Sequence, residues 1–358
     1  MRISTYNLNN LFDRATILEL EGFSATSREV LNDISKLNAL LAKDSYAGAT
    51  GTSILTIIKK YFGATGKKEN PYFFINEIKN KLTGVSAGKL VLRPAGRADW
   101  LGWVELKRST VNELATQNTA RVVKEVNADV MCVIEVDSRI ALNNFNKYLL
   151  DKQYKYTMLI DGNDDRGIDV GILSNYTITR LETHIYDTYK DEQGKAQQTF
   201  SRDCAVYTIK KGDVEIHMLC NHFKSQGYGT PAANDYKRSK QAEAVAGIIK
   251  RYNLDTDYVV IAGDLNDEPD NAPLKALRNN TKLVNIVEKF GLPHTGTFDT
   301  GKKQFDYLWV SKALAAKFVK GDIERRGIFS ARGVKFDTVT AKANQASDHA
   351  AVWAEFNI

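Results

Sequence analysis

The stretch Val259–Pro269, VVIAGDLNDEP, decides the fold. Four apolar residues, Val259 to Ala262, run into Gly263, and oxygen-bearing side chains then crowd the chain at Asp264, Asn266, Asp267 and Glu268. The apolar run reads as a buried strand. Residues two apart on an extended strand point the same way, so Asp264 and Asn266 are expected to project together from its C-terminal end. Ligands of open α/β sheets gather at such ends. An Asp-rich turn would explain the same residues, because DLNDEPD is full of turn formers.

Other strand ends carry the same signal. VMCVIEV ends in Glu135, and LCNHF places His222 at the end of another strand. FDYLW carries Asp306, ASDHAAVW places Asp348 and His349 just before the last strand, and STYNL holds Asn7 in the first. Each alone could be a satisfied polar residue. Together they put a carboxylate, amide or imidazole on strand after strand at the edge of a core. Burying such groups without partners is costly, so convergence on one site is the economical reading.

The bulk of the chain permits this. With 358 residues it is long enough for one large domain or two ordinary ones. At 43% hydrophobic and 26% charged residues it can build a core, which excludes a disordered chain. The net charge of +6 suits a polyanionic partner without requiring one. Cys132, Cys204 and Cys220 sit in apolar runs with no CxxC pair, and read as reduced core thiols. MRISTYNLNNLF enters strand-like alternation at once, and no apolar run is long enough to span a membrane. As written the chain reads as cytoplasmic, or as secreted if a leader has been removed.

From Thr116 onward, strands outnumber helices and helices interrupt them, which suggests two packed sheets with helices outside. Phe12–Ala115 differs in character. Thr26 and Glu29 suggest a capping box, with Val30, Ile34, Leu37 and Leu41 following at helical spacing. TSILTIIKKYFG suggests a second helix, and KLVLRP and WLGWVELK read as a hairpin around AGRAD. The whole is expected to be a mostly helical subdomain, residues 12–115, inserted after the first strand of a single 1–358 domain.

The chemistry of the strand-end set is specific. Asp, Glu and Asn are hard oxygen ligands, suited to Mg²⁺ or Mn²⁺ rather than zinc. Two histidines suit phosphate chemistry, and Asp306 could hold His349 in one tautomer. This is equipment for metal-assisted hydrolysis of a phosphate ester. The chain has no GxSxG elbow for a serine hydrolase and no GxxxxGKS loop for nucleotide-driven chemistry.

In order along the chain, TYNLNNLF, VIEV, NHFKS, GDLND, FDYLWVS and SDHAAV resemble the signature pieces of the endonuclease/exonuclease/phosphatase superfamily, the fold of deoxyribonuclease I and the abasic-site endonucleases. The resemblance covers Met1–Leu11 and Thr116–Ile358. It implies an α/β fold, a four-layer α/β/β/α sandwich of two packed mixed sheets, with the site at one edge. It implies Glu135 as main metal ligand with Asn7 beside it, and Asp348 as a second metal or water contact. Asp264 would be the base or positioner of the attacking water, and Asn266 would bind the scissile phosphate. His222 would contact the phosphate and protonate the leaving oxygen. His349, braced by Asp306, would be the other phosphate-facing imidazole. Asp169 in RGIDVGIL would brace His222, where deoxyribonuclease I-like members carry a glutamate. Arg202 in SRDCAV resembles their phosphate-contacting arginine.

Inositol-polyphosphate phosphatases of the superfamily carry a PxWCDR-like stretch where this chain has QFDYLWVS. NHFKSQGYGT followed by RSKQAEAVAGII looks more like bacterial deoxyribonuclease-like proteins. The expected activity is therefore a Mg²⁺-dependent nuclease on DNA or RNA. The alternative is a phosphodiesterase or phosphatase acting on a small-molecule or lipid head-group phosphate. A binding module that lost turnover is disfavoured, because every residue expected at the metal and phosphate is present. Lys224, Lys237, Arg238 and Lys240 would contact nucleic-acid phosphates or else form a solvated helix face. The insertion would cover the active-site mouth and select substrate. Its Trp100 and Trp103, with Arg93, Arg97 and Lys107 nearby, would either stack on bases or pack the insertion.

Overall fold

In this computed structural model, residues 1–11, 13–15, 17, 25–110, 113–164, 166–191 and 193–358 are described. The chain forms two compact units, Met1–Phe12 with Asn112–Ile358, and Asp13–Val111.

The larger unit is built on strands with two buried faces, which is why they read as unbroken apolar runs. One six-stranded sheet has the order Phe318–Glu324, Ala351–Phe356, Arg2–Leu11, Val130–Val136, Asp169–Ser174, Tyr156–Leu159. The other has the order Thr177–Glu182, Cys204–Lys211, Val214–His222, Tyr258–Asp264, Asp306–Ser311, Leu283–Asn285. Both are mixed: Arg2–Leu11 runs parallel to Val130–Val136, and Val214–His222 runs parallel to Tyr258–Asp264.

Alternation along each strand splits its side chains between two cores. Cys132 and Ile134 of one sheet meet Cys220, Val260 and Ala262 of the other in the layer between the sheets. Met131 and Val133 turn outward to Val122, Val123, Leu142 and Phe145, on the helices Leu114–Val126 and Arg139–Tyr148. Val259 and Ile261 turn the opposite way, to Ala242 and Val245 of the helix Pro231–Ile248. The result is the four-layer α/β/β/α sandwich. The three cysteines are free and buried. Among the described residues, no helix is long and apolar enough to cross a membrane.

The unit Asp13–Val111 has a core of its own. The helix Ala25–Leu41 contributes Val30, Ile34, Leu37 and Leu41, and the helix Ala49–Phe62 contributes Ile54, Ile57 and Ile58. The first helix begins at Ala25, one residue before the expected Thr26 start. Three two-stranded ladders complete the unit. Lys89–Leu92 and Leu101–Leu106 do not pair with each other as expected. Lys89–Leu92 pairs with Thr83–Ser86, and Leu101–Leu106 with Phe73–Lys79. The cause is local. Ala87 and Gly88 both adopt positive φ, 47° and 72°, the geometry of a two-residue hairpin turn, and that turn captures Lys89–Leu92. The two tryptophans part company. Trp100 is buried, with its Nε1 donating to Tyr46 Oη at 2.8 Å. Trp103 is exposed, and its Nε1 donates to Glu105 Oε2 at 3.2 Å.

Candidate active site

Strand register assembles the site. His222 lies opposite Asp264 on its parallel neighbour, and Asp264 lies opposite Asp306 on its antiparallel one. In the other sheet Asn7 pairs with Ile134, one residue before Glu135. Asn7 then links the two sheets: its Nδ2 donates to Glu135 Oε1 at 3.2 Å and to Asp264 Oδ2 at 3.3 Å. Asp264 Oδ2 is the hub. The Nε2 atoms of His222 and His349 each lie 3.7 Å from it, and His222 Nε2 is 3.9 Å from Glu135 Oε1. Ser347 secures the approach of the last strand, its Oγ donating to Asn7 O at 2.8 Å and accepting from His349 N at 3.0 Å.

The backbone is unusual at this edge. Gly263 has φ 135°, and a Cβ there would lie 1.9 Å from Asn221 O, so only glycine lets the strands bearing His222 and Asp264 approach this closely. Glu135 and Asn266 both have positive φ, 63° and 53°. Non-glycine residues in this region carry strain that clusters at functional sites. Asn266 therefore does not continue the extended strand as expected. The strand ends at Asp264, and the chain turns so that Asn266 N donates to Asp264 Oδ1 at 2.9 Å. A side chain capturing the backbone two residues on, not strand alternation, brings these residues together. Asn266 Nδ2 donates to Phe223 O at 3.3 Å.

The two histidines sit in opposite electrostatic settings. His349 Nδ1 is 2.8 Å from Asp306 Oδ2, which also accepts from Thr297 Oγ1 at 2.7 Å. Burial alone would lower the imidazole's pKa, but the carboxylates of Asp306 and Asp264 outweigh it and raise it to about 10. Burial, then the charges of Arg202 and His349, push His222 well below its ordinary value, despite carboxylate oxygens within 3.9 Å. Burial, with Asp306 and Glu135 adding, raises Asp264 to about 7 against the pull of His349. Burial raises Glu135 as well, opposed by the hydrogen bond from Asn7. Groups whose environments drive their pKa values apart mark acid and base roles. Burial thus favours the neutral form of His222, whereas the carboxylates around His349 favour its charged form.

The outlying residues are placed differently from expectation. Asp169 does not brace His222. Its Oδ1 accepts from Gly162 N at 2.9 Å, and among the described residues His222 Nδ1 has no hydrogen-bond partner. The aspartate is the shorter side chain where a glutamate was the precedent. Burial raises its pKa to about 6. Arg202 is buried, its Nε 3.1 Å from Asp164 Oδ2, and it feels the charges of Glu135 and Asp264. Asp348 is half-buried, and its charge acts on both His349 and Glu135. Arg238 is no phosphate contact, being buried with its Nε 2.9 Å from Asp267 Oδ2. Lys240 pairs with Glu243 at 2.8 Å. Lys224 and Lys237 share a cationic neighbourhood with Arg202. Sequence reasoning missed Thr297, Ser347, Asp164 and Arg166. SDH contained Ser347 and NDDRG contained the last pair, but neither stretch says what it will meet.

The donors fit a hard divalent cation. Glu135 Oε1 and Asp264 Oδ2 converge on one amide nitrogen, and burial, with neighbouring carboxylates adding, raises both, a cost that a cation would relieve. The closest His/Asp trio among the described residues is instead Asp264, Asp306 and His349, with ligand atoms within 4.8 Å of one another. Asp306 Oδ2 is engaged by His349 Nδ1 and Thr297 Oγ1, which makes a hydrogen-bonded relay, while its buried Oδ1 has no hydrogen-bond partner among the described residues and is open to a ligand.

Residues 111–349 match the Endonuclease/Exonuclease/phosphatase family, and the chain belongs to it. Membership brings metal-dependent phosphoester hydrolysis as the general chemistry. No curated protein matches the sequence. Among solved structures, the fold is similar to an endonuclease/exonuclease/phosphatase from Beutenbergia cavernae, with TM-score 0.50, 15% identity and coverage of 67% of this chain and 65% of that one. Truncated Caenorhabditis elegans TDP2 is similar at TM-score 0.47, 20% identity and coverage of 68% and 90%. Sphingomyelinase C from Streptomyces griseocarneus is similar at TM-score 0.45, 18% identity and coverage of 68% and 92%.

Proposed function

We propose that the protein is a Mg²⁺- or Mn²⁺-dependent nuclease that cleaves phosphodiester bonds by attack of an activated water on phosphorus. The observation that carries this reading is the convergence of Asn7, His222 and His349 nitrogens on Asp264 Oδ2, within 3.7 Å. Glu135 with Asn7, and Asp348 as a further contact, would hold the ion. When bound, it supplies charge neutralisation and Lewis-acid polarisation of the phosphoryl oxygens.

The chain's own residues do the rest. Asp264, fixed through its Oδ1 by Asn266 N, orients the water and takes its proton at Oδ2. His349, held by Asp306 at Nδ1, presents a charged Nε2 to the phosphate and supplies the proton for the leaving oxygen. His222, neutral, fixes a phosphate oxygen by hydrogen bonding. Asn266 and Arg202 bind the same phosphate, and Asp169 supports the loop at Gly162 near Arg202.

Nucleic acid is favoured because cations gather on the His222 side. Arg166, Arg202, Lys224 and Lys237 lie close enough to perturb one another. A polyanionic strand places phosphates along such a track. The unit inserted straight after Asn7 and Asn9 is read as a substrate selector within one functional domain. Replacing residues 13–110 with a Gly/Ser linker should spare bis-p-nitrophenyl phosphate hydrolysis while changing activity on the polymer.

The purified protein should be assayed with Mg²⁺, Mn²⁺ or EDTA against DNA, RNA, bis-p-nitrophenyl phosphate and sphingomyelin. Metal-dependent cleavage of DNA or RNA supports the reading. Cleavage of sphingomyelin or a small phosphoester alone replaces it with the head-group alternative.

A further inference from the structure

The loop after His222 is tied down everywhere except at its tip. Lys224 N donates to Gln241 Oε1 at 2.8 Å, and Lys224 Nζ donates to Gly227 O at 2.6 Å. Asn234 Nδ2 donates to Gln226 O at 3.0 Å and to Gly227 O at 3.3 Å. Gln226 Nε2 donates to Asn266 O at 3.2 Å, which anchors the loop to the strand end that carries the site. Tyr228 stands at the tip, 85% exposed and with φ 56°. Single exposed aromatics need no explanation. A bulky residue held in the left-handed region by a bonded loop does, because such strain persists only where its surroundings enforce it and it gathers at ligand clamps.

A second, separate observation concerns what faces that ring. The Arg166 guanidinium carbon lies 5.8 Å from the centre of the Tyr228 ring, within cation–π range. Asp164 grips Arg166 in a fork, accepting from Nε at 2.9 Å and from Nη2 at 2.7 Å. Asp164 Oδ2 also lies 3.1 Å from Nε of the buried Arg202. One carboxylate thus couples an exposed rim pair to the buried guanidinium beside the catalytic carboxylates. Arg166 also acts on Glu135 and His222 through its charge.

We propose that Tyr228 and Arg166 form a stacking clamp that takes one unpaired nucleobase of a single-stranded nucleic acid next to the scissile phosphate. This rests on the nuclease reading above and narrows its substrate. An open ring face can stack only on a base whose own face is free, which single strands offer and duplex stacks do not. Arg202 and Arg166 hold the adjoining phosphate, so base and phosphate are read by one linked unit. Tyr228 is a binding residue and takes no part in bond breaking.

The test compares two single-stranded oligodeoxynucleotides of equal length, one with bases throughout and one with a run of tetrahydrofuran abasic sites. Wild type should show the lower KM on the base-bearing strand. Tyr228→Ala should raise that KM about tenfold, with kcat kept, and raise KM on the abasic strand by less than about twofold. Tyr228→Phe keeps the ring and should match wild type. Equal KM changes on both strands would show a loop or charge effect and overturn the clamp, as would a Tyr228→Phe variant that behaves like Tyr228→Ala. No change on either strand overturns it too. A wild-type protein that cleaves neither strand but hydrolyses sphingomyelin overturns the nuclease reading itself, a distinct outcome visible without any variant.

Discussion

Asp264 and Asp267 are buried carboxylates three residues apart at one strand-to-loop corner; each accepts a nearby backbone N–H at Oδ1, and they differ at Oδ2. Asp267 accepts a close bond from Arg238 Nε at 2.9 Å, from Asn271 Nδ2 at 2.6 Å and from Glu268 N at 3.0 Å. Asp264 Oδ2 has nitrogens from three directions, none nearer than 3.3 Å. A saturated buried charge is structural: its desolvation is matched by short bonds and nothing further can approach. A loosely attended one, crowded by other carboxylates, keeps capacity for an ion, a water and a phosphate. Proximity in sequence and equal burial do not separate the two cases. Donor distances do.

The comparison would be broken most severely at the metal. EDTA should take hydrolysis to the uncatalysed background, and Mg²⁺ or Mn²⁺ should restore it. Full activity in EDTA would mean that the loose coordination around Asp264 has no such purpose.

Asp264→Asn should lower kcat by about 10²–10⁴, with the melting temperature nearly unchanged. Turnover within about threefold of wild type would remove Asp264 as the base. At the neighbouring corner the outcome reverses. Asp267→Ala removes the buried partner of Arg238 Nε and leaves only the more exposed Asp235 to pair with it, and should cost about 1–3 kcal/mol in a denaturant titration. Turnover per folded molecule should stay near wild type. If Asp267→Ala is too unstable to purify, Arg238→Met with Asp267→Leu should recover folding and activity together. A specific loss of kcat in that pair would place Asp267 in the chemistry.

The two tryptophans test the same rule in the other unit. Trp100→Ala removes a buried ring bonded to Tyr46 and should cost about 3–5 kcal/mol. Trp103→Ala removes an exposed ring and should stay within about 0.5 kcal/mol in the same titration.

Strand ends were the legible part. Apolar runs closing in Glu135, His222 and Asp264, and the run that carries Asp306, told of a two-sheet core and of a site at its edge, because burial and side-chain alternation are local to each strand. Turn geometry was not legible. Asn266 and Glu135 adopt positive φ that no pattern of residue types announces. Side-chain pairing across the fold was also hidden: Arg238 read as a phosphate contact or as part of a solvated helix face, whereas it is buried and held by Asp267. Nothing in NDDRG announces that Asp164 will meet Arg202, far along the chain. The hairpin partner of Lys89–Leu92 was misread because Ala87-Gly88 was not recognised as a two-residue turn.

Ser347 Oγ reaches Asn7 O across 340 positions, and Asn7 in turn reaches Glu135 and Asp264 across 128 and 257. The catalytic arrangement draws on residues spread from Asn7 to His349. Contacts so distant form late and slowly, since loop closure must precede any gain from them. A partly folded chain is thus chemically inert, and hydrolysis can begin only once the two sheets have closed on each other. Recovery of activity during refolding should therefore track the slowest structural phase rather than the formation of secondary structure, which makes turnover a clock for the final step of assembly.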